Sequence, residues 1–164
     1  SGDPDYGGLA VADVTGTVGD TTPVRRPDAR VGLGAGALIG DDVYNRLAGQ
    51  MKAAAARKGR SVTYRVSVQN DGTAAEALRV TGAGSARGFT VKYVGPTGAN
   101  LTRAVTRAGF VTPVLAPGAT YLVKVQVTVG RRALSALSRD VTVRSTAQPA
   151  RTDVVRLITK RKGR

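Results

Sequence analysis

The chain has 164 residues, of which 25 are Lys or Arg and 11 are Asp or Glu, and it contains no Cys and no His. This length fits one domain with an extension, or at most two small domains, and a hydrophobic content of 41% argues against a fully disordered chain. The absence of Cys and His excludes zinc fingers, thiol nucleophiles, haem ligation and Ser-His-Asp catalysis. No apolar run approaches the roughly 20 residues of a membrane helix, so we predict no membrane span.

The net charge of +14 is distributed unevenly along the chain. Residues 1–24 carry Asp3, Asp5, Asp13, Asp20 and no base, a net charge of −4. Residues 25–164 carry all 25 bases and the other seven acids, a net charge of +18. We therefore divide the chain into an acidic, glycine-rich arm (residues 1–27), a basic body (28–160) and a basic tail (161–164).

The first predicted element lies in the arm, where a few apolar residues stand among Gly, Thr and Asp. Their pattern is typical of one extended strand, and no hairpin partner follows it: Leu9, Val11, Val14 and Val18. Residues 30–33 and 37–44 are then predicted to be extended. Residues 51–57 are predicted as strand or loop, although their run of alanines has high helix propensity.

Alternation of apolar and polar residues predicts half-buried strands through the rest of the body. These strands cover residues 62–69, 78–80, 89–93, 121–129, 141–143 and 154–159. Turn signals separate them, among them 70–73 and 115–118. Residues 101–110 are weakly patterned and could form a short strand, a loop or a helical turn. Residues 131–138 are interpreted as a loop, with or without a helical turn.

Short strands at regular spacing, with Gly and Pro turns and no long helical pattern, predict an all-β fold. We expect an Ig-like antiparallel β-sandwich of about seven strands between residues 29 and 160, preceded by the extended arm. A β-barrel is the alternative, but nothing in the pattern indicates closure.

Three segments occur in a characteristic order: residues 63–74 (TYRVSVQNDGTA), residues 115–129 (LAPGATYLVKVQVTV), and residues 141–146 with Asp153 and Val154. Together they resemble bacterial extracellular Ig-like modules related to the cell-adhesion-related (CARDB-type) domains. Those modules share a strand ending in Asn-x-Gly-Thr and a Leu-x-Pro-Gly turn before a long valine-rich strand. Residues 31–45 resemble the opening strand and loop of the longer variants.

The resemblance covers about residues 28–160 and implies a secreted or cell-surface module for spacing, adhesion or assembly. It implies no active site. The sequence itself also argues against catalysis. Glu76 is the only Glu, no acidic pair has a spacing that suggests acid–base catalysis, and no local nucleophile motif is present. We therefore expect no enzymatic activity.

Calcium could be held by Asp3, Asp5 and the region of Gly7, or by the group Asp41, Asp42 and Asn45. We interpret both groups as solvated or capping residues, and expect no metal ion or other cofactor.

A basic body can attach to nucleic acid, cell-wall polymer or acidic polysaccharide. Five bases fall on outward strand positions: Arg65, Arg79, Lys92, Lys124 and Arg144. The aromatic residues that could stack on bases occupy apolar strand positions instead, and we predict them in the core: Tyr64, Phe89, Tyr93 and Tyr121. Polyanion attachment is therefore the second functional hypothesis.

The first functional hypothesis is assembly with copies of the same chain or with neighbouring surface modules. A β-sandwich with an open edge can accept a strand from another chain through backbone hydrogen bonds. Attraction between an acidic arm and a basic body favours that contact, and repeated head-to-tail contacts build a fibre. Docking of the arm on its own sandwich, or a linker role for the arm, remains open.

Overall fold

The computed structural model describes residues 21–163, so Leu9, Val11, Val14 and Val18 lie outside the described residues. Nine strands, one short 3-10 helix (Leu47–Gly49) and one short α-helix form the described part. The strands are β1 (Pro27–Leu33), β2 (Met51–Ala56), β3 (Ser61–Asn70), β4 (Leu78–Gly82), β5 (Phe89–Val94), β6 (Phe110–Val111), β7 (Thr120–Val129), β8 (Ala136–Ser145) and β9 (Thr152–Arg161). The helix α1 is Thr102–Thr106, and the predicted all-β fold class is confirmed.

The strands form two sheets packed as a sandwich. Sheet A has the order β1-β3-β7-β5, and sheet B has the order β2-β9-β8-β4-β6. Neighbouring strands are antiparallel except for β2, which runs parallel to β9. If β2 and β6 are set aside, seven strands remain in the two-sheet order of constant-type immunoglobulin domains. The two additional strands are the edges of sheet B.

The core lies between the sheets and is built from the apolar sets predicted by the alternation. Tyr64, Phe89 and Tyr93 are buried as predicted, and Tyr121 is half-buried against Phe110, with ring centroids 5.5 Å apart. The Tyr64 hydroxyl crosses the sandwich and donates to the carbonyl oxygen of Ile158 at 2.7 Å. The same hydroxyl lies 2.9 Å from Thr159 Oγ1, so Tyr64 links β3 of sheet A with β9 of sheet B.

The Asn-x-Gly-Thr strand end and the Leu-x-Pro-Gly turn are held together by one side chain. The Asn70 amide donates to the carbonyl oxygens of Leu115 at 2.8 Å and Ala74 at 2.9 Å. Its Oδ1 accepts from the Gly72 N–H at 3.0 Å, an Asx-turn geometry. The two motifs thus belong to one structural junction.

The predictions for two segments need correction. Residues 37–44 are not an extended segment, since only Ile39 pairs, with Val31. Left-handed backbone at Gly40 (φ 102°), Asp42 (φ 59°) and Asn45 (φ 53°) interrupts any strand there. The predicted loop at 131–138 ends early, because β8 begins at Ala136 and pairs with the end of β9.

The two segments left open by the sequence are now assigned. Residues 101–110 contain α1 and the start of β6. The alanine-rich segment is the strand β2, because it finds hydrogen-bond partners in β9, and such pairing overrides the helix propensity of alanine. No helix in residues 21–163 has the length and apolar character required to cross a membrane.

Candidate functional site

The five outward-facing bases do not share one surface. Arg65 lies opposite Lys124 in the register of β3 and β7, and Lys92 of β5 is on the same outer face of sheet A. Arg79 lies opposite Arg144 on the outer face of sheet B. The sandwich thus separates the five into a group of three and a group of two.

Two of these five bases also have structural partners. The Arg65 guanidinium donates to the carbonyl oxygen of Gly36, and Arg79 Nη1 donates to that of Ala108 at 2.8 Å. Lys92, Lys124 and Arg144 are exposed. A paired guanidinium has fewer N–H donors left for an anion. Each sheet face therefore presents few free cationic groups to an acidic polymer.

A denser group of bases lies at one end of the sandwich, here called the cationic end. Backbone hydrogen bonds join its segments: the Val129 N–H donates to Arg60, the Gly130 N–H to Gly88, and the Arg161 N–H to Ser135. Nine exposed bases occupy these turns and strand ends: Arg57, Lys58, Arg60, Arg87, Arg131, Arg132, Lys160, Arg161 and Lys162. No Asp or Glu occurs in residues 57–60, 83–88, 130–135 or 160–163.

A groove of about 340 Å³ opens at the cationic end between the β2–β3 turn and the end of β9. Arg57, Lys58, Arg161, Lys162 and Gly163 line it. The Arg161 guanidinium is anchored to the Ala133 carbonyl oxygen at 2.8 Å. Four cationic side chains around one concavity create a positive potential that attracts anions.

Strand periodicity could not find the cationic end, because its bases lie in turns and at strand ends. The available signal was the shared sign of separate basic clusters, at residues 57–60, 131–132 and 160–162. Only the order of the strands shows that these clusters meet at one end.

Among the described residues, the edge strands differ in how far their outer backbone groups are satisfied. Val31 of β1 exchanges two hydrogen bonds with Ile39, at 2.9 and 2.8 Å. On β5, the Val91 and Tyr93 N–H groups donate to the hydroxyls of Ser85 and Thr102, both at 2.9 Å. The strand β6 has only two residues.

The strand β2 retains an open edge. The Gln50 and Ala56 carbonyl oxygens accept from the N–H groups of Arg156 and Lys162. Because backbone groups on one side of a strand recur at every second residue, the even-numbered residues face β9. The backbone groups of Met51, Ala53 and Ala55 point away from it, and we call these three residues the free edge of β2. Residues 21–163 provide no pairing partner on that side.

Two features surround the free edge of β2. The side chains of Met51, Ala53 and Ala55 are exposed, and the half-buried Ile158 of β9 lies opposite Ala53 on the outer face of sheet B. These four side chains form a small apolar strip, with Arg156 opposite Met51 and Lys160 opposite Ala55. The strand β2 ends at Ala56, directly before Arg57 and Lys58 of the cationic end.

Carboxylates gather at the opposite end of the sandwich. The buried Asp153 accepts from the Ala29 N–H and the Asn45 N–H, both at 2.7 Å, and from the Gln50 amide at 2.8 Å. Asn45 is therefore occupied in attaching the β1–β2 loop to β9.

Asp41 and Asp42 are exposed in that loop and approach a third carboxylate, Asp28 at the start of β1. Asp28 is fully buried, and burial raises its pKa to about 7, with the negative charges of Asp153, Asp41 and Asp71 adding to the increase. Its Oδ2 accepts from the Asp42 N–H at 3.3 Å, which acts in the opposite direction. Asp28 was not predicted as a site residue, because neither its burial nor its proximity to the loop has a signal in the sequence.

Comparisons with known proteins establish only the fold. No protein-family model matches the chain, and no curated protein matches it. A family 123 glycoside hydrolase from Clostridium perfringens aligns with a TM-score of 0.51 at 7% identity, over 83% of this chain and 27% of the hydrolase. At such low identity the likeness concerns the sandwich alone.

Two further solved structures have a TM-score of 0.42. The secreted serine protease VesC from Vibrio cholerae is 17% identical over 68% of this chain and 22% of the protease. PapD-like domain 7 of human CEP192 is 12% identical over 70% of this chain and 82% of that domain. The chain spans about a quarter of the aligned hydrolase and of the protease. No family follows from these likenesses, and the likeness to the hydrolase concerns the fold alone.

Proposed function

We propose that the chain is a non-catalytic, secreted or cell-surface structural module that assembles with copies of itself by strand addition. The observation that carries the proposal is the free edge of β2. It presents the N–H and C=O groups of three residues, and a donated strand can use those groups to extend sheet B.

The strand that we propose as donor is the segment 9–18 of another copy, with Leu9, Val11, Val14 and Val18. Residues 1–20 carry four Asp and no base. The acceptor edge ends beside Arg57 and Lys58, within the cationic end. The acidic donor and the basic acceptor region therefore attract each other, most strongly at low ionic strength.

The apolar strip beside the edge supports the same contact. Met51 is 38% exposed, and the small Ala53 and Ala55 side chains leave room for apolar residues of an added strand. Burying this strip adds a hydrophobic contribution to the backbone hydrogen bonds. A repeated contact between donor and acceptor can then extend into a fibre.

The test compares the full chain with a chain shortened to residues 21–164. Light scattering after size exclusion should show concentration-dependent oligomers for the full chain and monomers for the shortened chain. A peptide of residues 1–20 should bind the shortened chain. A peptide of scrambled order and equal charge is the control, and it should bind at least about tenfold more weakly because it lacks the strand pattern.

Three results would contradict the proposal. One is assembly of the shortened chain to the same extent as the full chain. Another is equal binding of the two peptides, which would reduce the contact to charge alone. The third is a full chain that stays monomeric at every concentration, which would favour docking of the arm on its own sandwich or a linker role.

The cationic end favours a second candidate function, the attachment of an acidic polymer in the groove lined by Arg57, Lys58 and Lys162. The test uses a short DNA duplex as polyanion probe and the triple alanine variant of these three residues. Each lost phosphate contact should reduce the slope of log K against log salt by about 0.9. The variant should therefore lose about two to three units of slope.

The matched control removes the same charge from the sheet faces, by alanine at Lys92, Lys124 and Arg144. It should change the slope by less than one unit, on the order of a single contact. Equal losses in both variants would show that binding follows net charge and that the groove has no particular role. Removal of residues 1–20 should leave DNA binding intact, which separates this function from strand donation.

A further inference from the structure

The carboxylate end contains a group of three acidic side chains that lie close together. Oxygen atoms of Asp28, Asp41 and Asp42 all lie within 4.8 Å of one another. Among residues 21–163, the base that forms an ion pair with them is Arg30, whose Nη1 lies 3.7 Å from Asp41 Oδ1. Three carboxylates at this spacing repel one another unless a cation or protons neutralise them.

The buried member of the group supplies a separate observation. Asp28 has no exposed surface, and its Oδ1 is buried with no hydrogen-bond partner among the described residues. Burying a carboxylate oxygen without a hydrogen-bond donor costs folding free energy. A bound ion that contacts the oxygen is one explanation for such an atom. This oxygen belongs to the carboxylate that faces Asp41 and Asp42 across the β1–β2 loop.

We propose that Asp28, Asp41 and Asp42 form a Ca²⁺ site. Oxygen ligands that bind one Ca²⁺ at 2.3–2.6 Å can be no farther apart than about 5 Å, and the three oxygens already satisfy this limit. Mg²⁺ requires near-ideal octahedral geometry, whereas Ca²⁺ accepts six to eight oxygen ligands in flexible geometry. Three carboxylates from a strand and a loop therefore suit the larger ion, whose remaining positions water can fill.

The position of the site gives it a structural consequence. Asp28 belongs to β1, whereas Asp41 and Asp42 belong to the loop that leads through the 3-10 helix into β2. An ion bound by all three residues ties that loop to β1. The site is separate from the free edge of β2 and from the cationic end, so it can be tested without reference to assembly.

The experiment measures Ca²⁺ binding to the full chain by calorimetry. We expect a Kd of about 10⁻⁴–10⁻³ M, the range of extracellular calcium modules, with Mg²⁺ at least about tenfold weaker. Tb³⁺ is a second probe: the Tyr44 hydroxyl lies 3.1 Å from Asp42 Oδ1, so excitation of this tyrosine should sensitise a bound Tb³⁺ ion. Ca²⁺ should then displace the signal.

The variants separate the site from general charge. Asp41→Asn changes an exposed side chain and should weaken Ca²⁺ binding at least about tenfold with the fold intact. Asp28→Asn should do the same, and circular dichroism reports whether that variant folds. Asp140→Asn is the control, because Asp140 pairs with Arg156 on the outer face of sheet B. This variant should bind Ca²⁺ with the affinity of the parent chain.

The proposal would be overturned if the parent chain gave no heat of Ca²⁺ binding in calorimetry and no sensitised Tb³⁺ emission. So would an Asp41→Asn variant with the parent's affinity, or equal losses in Asp41→Asn and Asp140→Asn. A folded Asp28→Asn variant with unchanged affinity would exclude the buried carboxylate as a ligand and would equally overturn it.

Discussion

Replacement of Ala53 by proline tests the orientation of β2 and its role as acceptor in a single experiment. The Ala53 N–H points away from β9, so a proline there removes no hydrogen bond from the β2–β9 ladder. Proline is tolerated on edge strands for this reason. It removes one of the donors that an added strand needs, and its ring occupies space that the added strand must approach.

The magnitude follows from the number of groups on the free edge. Its three residues present three N–H and three C=O groups, and each hydrogen bond contributes about 0.5–1.5 kcal/mol net. Loss of one bond and displacement of its neighbours should cost about 1–3 kcal/mol of assembly free energy. Self-association should accordingly weaken by about fivefold to more than a hundredfold, since 1.4 kcal/mol is a factor of ten.

The control is Ala54→Pro, whose N–H faces β9. It should lower the free energy of unfolding by about 1–3 kcal/mol, because a carbonyl of β9 loses its donor. Urea unfolding measures the stability of both variants, and sedimentation velocity measures their association. An Ala53→Pro variant that assembles as tightly as the parent, or is destabilised as much as Ala54→Pro, would refute the reasoning.

Three further predictions concern stability. Tyr64→Phe should lower the free energy of unfolding in urea by about 1–3 kcal/mol, because the half-buried Ile158 carbonyl and the buried Thr159 hydroxyl both lose the Tyr64 hydroxyl as a partner; an unchanged midpoint would contradict the cross-sandwich link. Gly88→Ala should cost about 2–4 kcal/mol, since its Cβ would meet backbone atoms of the β7–β8 loop at 2.6 Å, whereas Gly98→Ala, with nothing within 4 Å, should cost about 1 kcal/mol; equal costs would refute the packing argument. Burial raises the pKa of Tyr93 to about 12, so the neutral form is favoured in the folded state. Stability present below about pH 10 should therefore be lost as the pH rises towards 12, by about 2–3 kcal/mol at most, and Tyr93→Phe should remove that part of the pH dependence.

The strands that carry the core were predictable because their apolar residues alternate with a period of two. In β3, β5 and β7 this pattern specifies which side chains face inward, and Tyr64, Phe89 and Tyr93 are buried accordingly. The turn at Asn70 was also predictable, since Asn and Gly carry turn chemistry locally. These features depend on interactions within a few residues or on the burial of one face.

The alanine-rich strand β2 could not be predicted from its own residues alone. Its side chains have little β preference, and the strand exists because its backbone pairs in parallel with β9, about a hundred residues later in the chain. The predictions of an extended segment at 37–44 and of a loop through 131–138 were wrong for the same kind of reason. The first segment leads into a loop that Asp153 holds through the Asn45 N–H, and β8 begins at Ala136 because it pairs with the end of β9.

The sequence by itself determined that the body is basic, that residues 1–24 are acidic, and that the fold is all-β with an apolar interior. It also indicated which bases point outward, because charge and periodicity are properties of the chain order. Only the tertiary structure decided that those bases divide between two sheet faces, that nine others meet at one end, and that Asp28 lies buried beside Asp41 and Asp42. The physical reason is that sheet order and loop packing bring together residues that the sequence separates, and backbone hydrogen bonds and burial determine which residues meet.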